Sequence, residues 1–168
     1  MVKEDSREHP ARYYPAVDSP VEERDGVRVE FSRNDWGDDD EYCIYRVENR
    51  RTGEKTEITR IHWKNWKDYT AEESPEKLLK LVKIVNDQQQ TSGMQPFIHC
   101  RAGQRRSGTL VVARELYRLK ELGELNPENF IDLVFGLVLQ GREQRGEGFV
   151  QRPEQLLSLL QFGKYLVC

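Results

Sequence analysis

The chain has 168 residues, 33% of them charged and 37% hydrophobic, with a net charge of -3. That length suits one domain, residues 1–168, burying about two-thirds of its unfolded surface, and the composition excludes collagen-like, mucin-like and wholly disordered classes. A mean hydropathy of -0.79 and the lack of any apolar run of about 18 residues exclude a membrane span, and the acidic balance argues against nucleic acid as a partner.

Residues 1–26 are polar and proline-punctuated and read as a loose lead-in. A meander follows. Val27–Phe31 alternates with period two, while Tyr42–Val47 and Thr56–Trp63 are rich in β-branched and aromatic residues, so all three read as strands. Asp35–Asp40 and Arg51–Glu54 read as turns, and the acidic run Asp38–Glu41 as a solvated turn. Ser74-Pro75 opens a helix: serine caps it, proline suits its first position, and Leu78, Leu81, Val82 and Val85 then recur on one face. Within Met94–His99 the apolar run Pro96-Phe97-Ile98 reads as a buried strand. Ser107 to Leu122 is a helix with Leu110, Val111, Leu116 and Leu119 inward. Pro127–Gln140 reads as the next helix, and Arg152-Pro153 opens the last, carrying Leu156, Leu157, Leu160 and Phe162. Meander, helix, strand, loop and helices describe an α/β (α+β) layer fold.

Cys43, Cys100 and Cys168 are widely spaced and form no CxxC pair, so neither a disulfide framework nor a zinc site is expected. The start, MVKEDSREHP, carries no apolar leader. A reducing, cytoplasmic setting is the simpler reading.

The chemistry concentrates at Phe97–Gly108, where the skeleton is Cys100, five residues, Arg106 and Ser107. A loop between a strand and a helix start aims several backbone N–H groups at one point, and the helix dipole adds roughly half a positive charge there. That suits a phosphate dianion held by the amides of Arg101, Ala102, Gly103, Gln104, Arg105 and Arg106. The same donors lower the Cys100 thiol pKa. The Arg106 fork can clamp two phosphate oxygens, and the Ser107 hydroxyl can donate to the thiolate.

This segment resembles the signature of the cysteine-based protein tyrosine phosphatases: His-Cys, five residues, Arg, Ser/Thr. Other landmarks follow in the family's order. Trp66-Lys67-Asp68 resembles its mobile Trp-Pro-Asp loop, Val150-Gln151 with Gln155 its glutamine loop, and Arg12-Tyr13-Tyr14-Pro15 its Tyr-Trp-Pro segment. The resemblance implies a phosphatase-like mixed sheet flanked by helices and a phosphotyrosyl protein substrate. It makes Cys100 the nucleophile that forms a phosphocysteine, and Asp68 the proton donor and later the base. Gln151 and Gln155 position the water, His99 orients the loop, and Trp66 is the hinge of the Asp68 loop. No metal or other cofactor is needed.

Three departures accompany the resemblance. Lys67 replaces the proline of the acid loop. Arg105 replaces a glycine of the tyrosine-specific members, and would be strained if that position needs φ > 0. Those members are also considerably longer, so the resemblance covers their C-terminal catalytic portion. The expectation is an N-terminally truncated phosphatase domain, with the face of the missing half exposed, re-polarised or covered by a partner chain. Two alternatives stay open: a degenerate phosphatase that binds phosphoryl groups, and a phosphatase for inositol phosphates or phosphoinositides, which the basic loop favours.

Overall fold

The computed structural model describes residues 14–15, 19–36, 40–63, 66, 74–101 and 103–168, with backbone only at 35, 36 and 40. The chain divides into two compact units, Met1–Asn65 and Trp66–Cys168. No helix among the described residues is long and apolar enough to cross a membrane.

The first unit is a sheet in the order β1-β2-β3-β4: β1 Val21–Arg24, β2 Val27–Trp36, β3 Asp40–Asn49 and β4 Lys55–Trp63. The α/β class holds, with one detail changed. The sheet was expected to be mixed, yet every described pairing is antiparallel, because consecutive strands are joined directly by short turns. Strand β1 lies inside the expected lead-in. Asp25 and Gly26 both take positive φ, 54° and 81°, and pair Arg24 with Val27 across a two-residue hairpin. An Asp-Gly step flanked by strand residues carries that signal in the sequence. At the other turn, Asn49 Oδ1 accepts from the Arg51 and Thr52 amides at 3.0 and 3.4 Å.

Cys43 and Tyr45 of β3 are buried, and Phe31 of β2 meets the Tyr45 ring edge-on at 5.8 Å. Glu41 departs from the expected solvated turn. It lies in β3 with its carboxylate 3.6 Å from Arg60 Nη1 and 3.3 Å from His62 Nδ1 on β4. Cross-strand placement turns this acid into an ion-pair partner. Asp38 and Asp39 lie outside the described residues.

The second unit packs four helices: α1 Pro75–Ser92, α2 Arg106–Glu121, α3 Phe130–Arg145 and α4 Pro153–Val167. Ser74 caps α1 by accepting from the Lys77 amide at 3.4 Å, and Gly93 ends it in the left-handed region at φ 69°. The core joins Leu78, Leu81, Val82 and Val85 of α1 to Val112, Ala113 and Leu116 of α2, Val134 and Val138 of α3, and Leu159 and Phe162 of α4. Burying each large side chain is worth about 1.5–3 kcal/mol.

Three expectations shift here. Val111 is 45% exposed and Leu157 55% exposed, because Val112 and Leu159 take the inward positions of their helices. Helix α3 begins at Phe130 instead of Pro127, since Asn126 Oδ1 accepts from the Glu128 and Asn129 amides and holds those residues in a turn. Residues 93–100 form no strand, and Phe97 is 90% exposed. Among the described residues no strand pairs with this segment, so its apolar run has no ladder to complete it.

Candidate active site

Helix α2 starts at Arg106, directly after the loop that begins at Cys100, and no side chain caps it. Its leading amides therefore face the loop, as the first N–H groups of any uncapped helix must. Gly103 supplies the left-handed residue, at φ 69°, that bends the loop back.

Cys100 is half-buried, with Sγ 3.5 Å from Ser107 Oγ. Burial alone pushes its thiol pKa up. Hydrogen bonds from the Ser107 hydroxyl and from the backbone N–H groups of Ser107, Gln104 and Gly103 outweigh that effect and bring it down to about 7. Ser107 is 5% exposed, so this donor is fixed by packing. A lowered thiol beside a fixed hydroxyl donor is the arrangement a cysteine nucleophile needs.

Arg106 Nη1 donates to the Trp66 carbonyl at 2.8 Å. Trp66 is 6% exposed. Arg106 thus fastens the main chain at Trp66, the first residue of the Trp66-Lys67-Asp68 sequence. Asp68, Lys67 and Ala102 lie outside the described residues. Arg101 is exposed at the loop's first turn. His99 is exposed as well, its ring 5.7 Å from that of Phe97. Arg105 sits at φ -81° and ψ -81°, so the feared left-handed strain is absent.

The second loop, 146–152, links α3 to α4. Phe149 fills space left by two glycines: a Cβ on Gly141 would stand 2.1 Å from Phe149 Cε1, and one on Gly108 would stand 3.0 Å from its ring. Gly148 makes similar room for the side chain of Gln104. Val150 is held at φ 47°, a sparsely populated conformation for a β-branched residue. Arg142 binds the carbonyls on either side of that bond, Nε to Phe149 O at 3.2 Å and Nη2 to Val150 O at 3.1 Å. The Val150 amide reaches Gln104 O at 3.4 Å.

These contacts bring Gln151 to the 100–106 loop, where its Oε1 accepts from Arg105 Nε at 3.1 Å. Gln155 is wholly buried, its Oε1 accepting from the Arg152 amide at 3.4 Å, and its Nε2 has no partner among the described residues. A buried amide with spare donors is the kind of group an ordered water satisfies. Sequence reasoning missed Arg142, one basic residue among the chain's 26, with no local signal to mark it. The glycines around Phe149 were the better clue to a close backbone approach.

The family model for protein-tyrosine phosphatases matches residues 1–163. The chain belongs to that family. No curated protein matches the chain. Solved structures do. A phosphatase structure described as the structural basis of the PTPN18 fingerprint on distinct HER2 tyrosine phosphorylation sites aligns with TM-score 0.79 at 23% identity, covering 97% of this chain and 56% of its own. PTPN18 in complex with a HER2 phosphopeptide aligns with TM-score 0.80 at 23% identity, covering 98% and 59%. The catalytic domain of human protein tyrosine phosphatase non-receptor type 18 aligns with TM-score 0.74 at 18% identity, covering 94% and 55%. These likenesses show the phosphatase fold, and the chain spans little more than half the length of each structure.

Proposed function

We propose that this chain hydrolyses phosphotyrosine in proteins through a phosphocysteine intermediate. The observation that carries the reading is the Cys100 thiol, lowered to about 7 by Ser107 and three loop amides beside Arg106. Sγ attacks phosphorus, the P–S bond forms and the P–O bond to the phenol breaks. A phenolate has a pKa near 10, so its departure needs a proton. Asp68 gives that proton, two residues after the Trp66 carbonyl that Arg106 binds. Arg106 and the loop amides of Arg101 through Arg106 hold the equatorial oxygens, where charge builds in the transition state. In the second step water attacks phosphorus, the P–S bond breaks, its electron pair returns to Cys100, and Asp68 takes the water's proton. Gln151 and Gln155 place that water, and Ser107 stabilises the leaving thiolate. His99 orients the loop, and Trp66 serves as the root of the acid loop. The setting is reducing and cytoplasmic: Cys43, Cys100 and Cys168 are all free thiols, and a lowered thiol survives only where it is kept reduced.

The test compares hydrolysis of an aryl phosphate, a phosphotyrosyl peptide and an inositol polyphosphate, with Cys100→Ser as control. The expected order is phosphotyrosyl peptide first, with all turnover lost in the control. Tight phosphopeptide binding without turnover by the native chain would overturn the enzyme, and preference for the inositol polyphosphate would overturn the substrate class.

The partner we propose beyond the substrate is a polypeptide that covers the surface around Phe97 and Val111. It would lie over a groove of about 940 Å³ whose walls include Ile98, Val111, Leu137 and Phe149. Amide exchange in the purified chain should be fast at 94–99, and slow exchange there would overturn this.

A further inference from the structure

We propose that Arg105 is a positioning residue for Gln151 and thereby sets the rate at which water breaks the phosphocysteine; this rests on the phosphatase reading above. Two roots converge on one hydrogen bond. Arg105 precedes α2, and its carbonyl accepts from the Thr109 amide at 2.9 Å and from Thr109 Oγ1 at 3.1 Å, so its main chain is fixed at the helix start. Its side chain rises from that rigid base, and Nε donates to Gln151 Oε1 at 3.1 Å. Gln151 itself is exposed, following Val150 in a loop whose carbonyls Arg142 secures. Its backbone is held from below while its side chain is held by Arg105.

The chemistry of the amide gives this bond a consequence. A glutamine carbonyl has two acceptor sites and its nitrogen two donors. The Arg105 Nε–H occupies one acceptor site and fixes which way the amide faces. One acceptor site and both N–H groups then remain for the attacking water. An exposed glutamine without that bond samples many rotamers and orients the water in few of them. A glycine at position 105 has no such reach. A lysine offers a flexible point charge in place of the planar fork, so it cannot hold the same acceptor in the same direction.

The step being positioned is the second one. The water oxygen bonds to phosphorus, the P–S bond breaks, the electron pair goes to Cys100 Sγ, the water's proton goes to Asp68, and inorganic phosphate leaves. Formation of the phosphocysteine makes no use of this water. Arg105 should therefore act on breakdown and leave formation alone.

Rapid-quench kinetics with an aryl phosphate, trapping the phosphocysteine in acid, separates the two steps. Arg105→Gly should slow breakdown on the order of tenfold and raise the trapped fraction, while formation changes by less than about twofold. Partition to glycerol as acceptor should rise relative to water. Gln151→Ala should give the same pattern, and the double variant should be no worse than either single one, as expected for residues acting through one bond. Arg105→Lys should resemble the glycine variant. If Arg105→Gly fails to fold, Arg105→Met keeps the side-chain stem without the donor and answers the same question. Slowed formation with unchanged breakdown, or additive effects in the double variant, would overturn the inference while leaving the phosphatase reading intact. Absence of any phosphocysteine in the native chain would overturn both.

Discussion

The loop at 100–106 and the loop at 146–152 lie side by side, yet they are built on opposite plans. Among the described residues, the loop at 100–106 is organised locally: the Gly103 and Gln104 amides and the amide and hydroxyl of Ser107, at the helix start, lower the Cys100 thiol. Residues 146–152 are organised from without. Arg142 on α3 holds two of its carbonyls, glycines on α2 and α3 make room for its Phe149, and Arg105 holds its glutamine. A loop that acts through its own amides tolerates change in its surroundings. A loop that acts through one side chain depends on remote residues to aim it.

The hardest test of this contrast removes the Arg106 side chain, which ties the 100–106 loop to the Trp66 carbonyl. Arg106→Ala should lower kcat/KM by roughly a thousandfold, since one donor to transition-state charge is worth about 10²–10³ and the tie to Trp66 is lost as well. A loss under about tenfold would mean that the amides alone hold the phosphoryl group. Next, Arg142→Met should cut kcat by about ten- to a hundredfold through misplacement of Gln151. It should leave the pH dependence of Cys100 alkylation unchanged. A shifted alkylation profile would show that the two loops are not separable.

Smaller effects sharpen the picture. Gly141→Ala places a methyl against the Phe149 ring and should destabilise the chain by about 1–3 kcal/mol in thermal melts; an unchanged Tm would mean the loop yields without cost. Ser107→Ala should raise the Cys100 midpoint by about one unit, the worth of one hydrogen bond to a charged group. The sign is fixed by what Ser107 stabilises. The thiolate is the reactive form, so alkylation of the native chain should rise with pH through about 7. In the variant the same rise should come at higher pH.

The same division governs what the sequence revealed. The 100–106 loop was legible because the residues that carry the proposed chemistry, Cys100, Arg106 and Ser107, stand at fixed spacing in one short segment. Gln151 and Gln155 were reached only through family resemblance, and Arg142 not at all, because its contacts are tertiary. Helix α1 was read almost to the residue, since Ser74, Pro75 and the apolar spacing are local signals. The strand expected at 94–99 failed for the opposite reason. Apolar residues make a strand only where a neighbour completes the ladder, and composition does not say whether a neighbour exists. Strand β1 was the reverse error, a hairpin whose Asp25-Gly26 turn was present in the sequence and passed over.

Phe97 has a further consequence, for colloidal behaviour. The outer strands of the sheet are guarded by charge: Glu22, Glu23 and Arg24 on β1, and Lys55 and Glu57 on β4. Such residues discourage edge-to-edge stacking between copies. The stretch Met94–His99 has no acidic residue, lysine or arginine, and only Pro96 to interrupt it. An unladdered apolar strip with a single gatekeeper is the natural starting point for aggregation. Self-association of the purified chain through this strip would therefore begin within a few residues of Cys100.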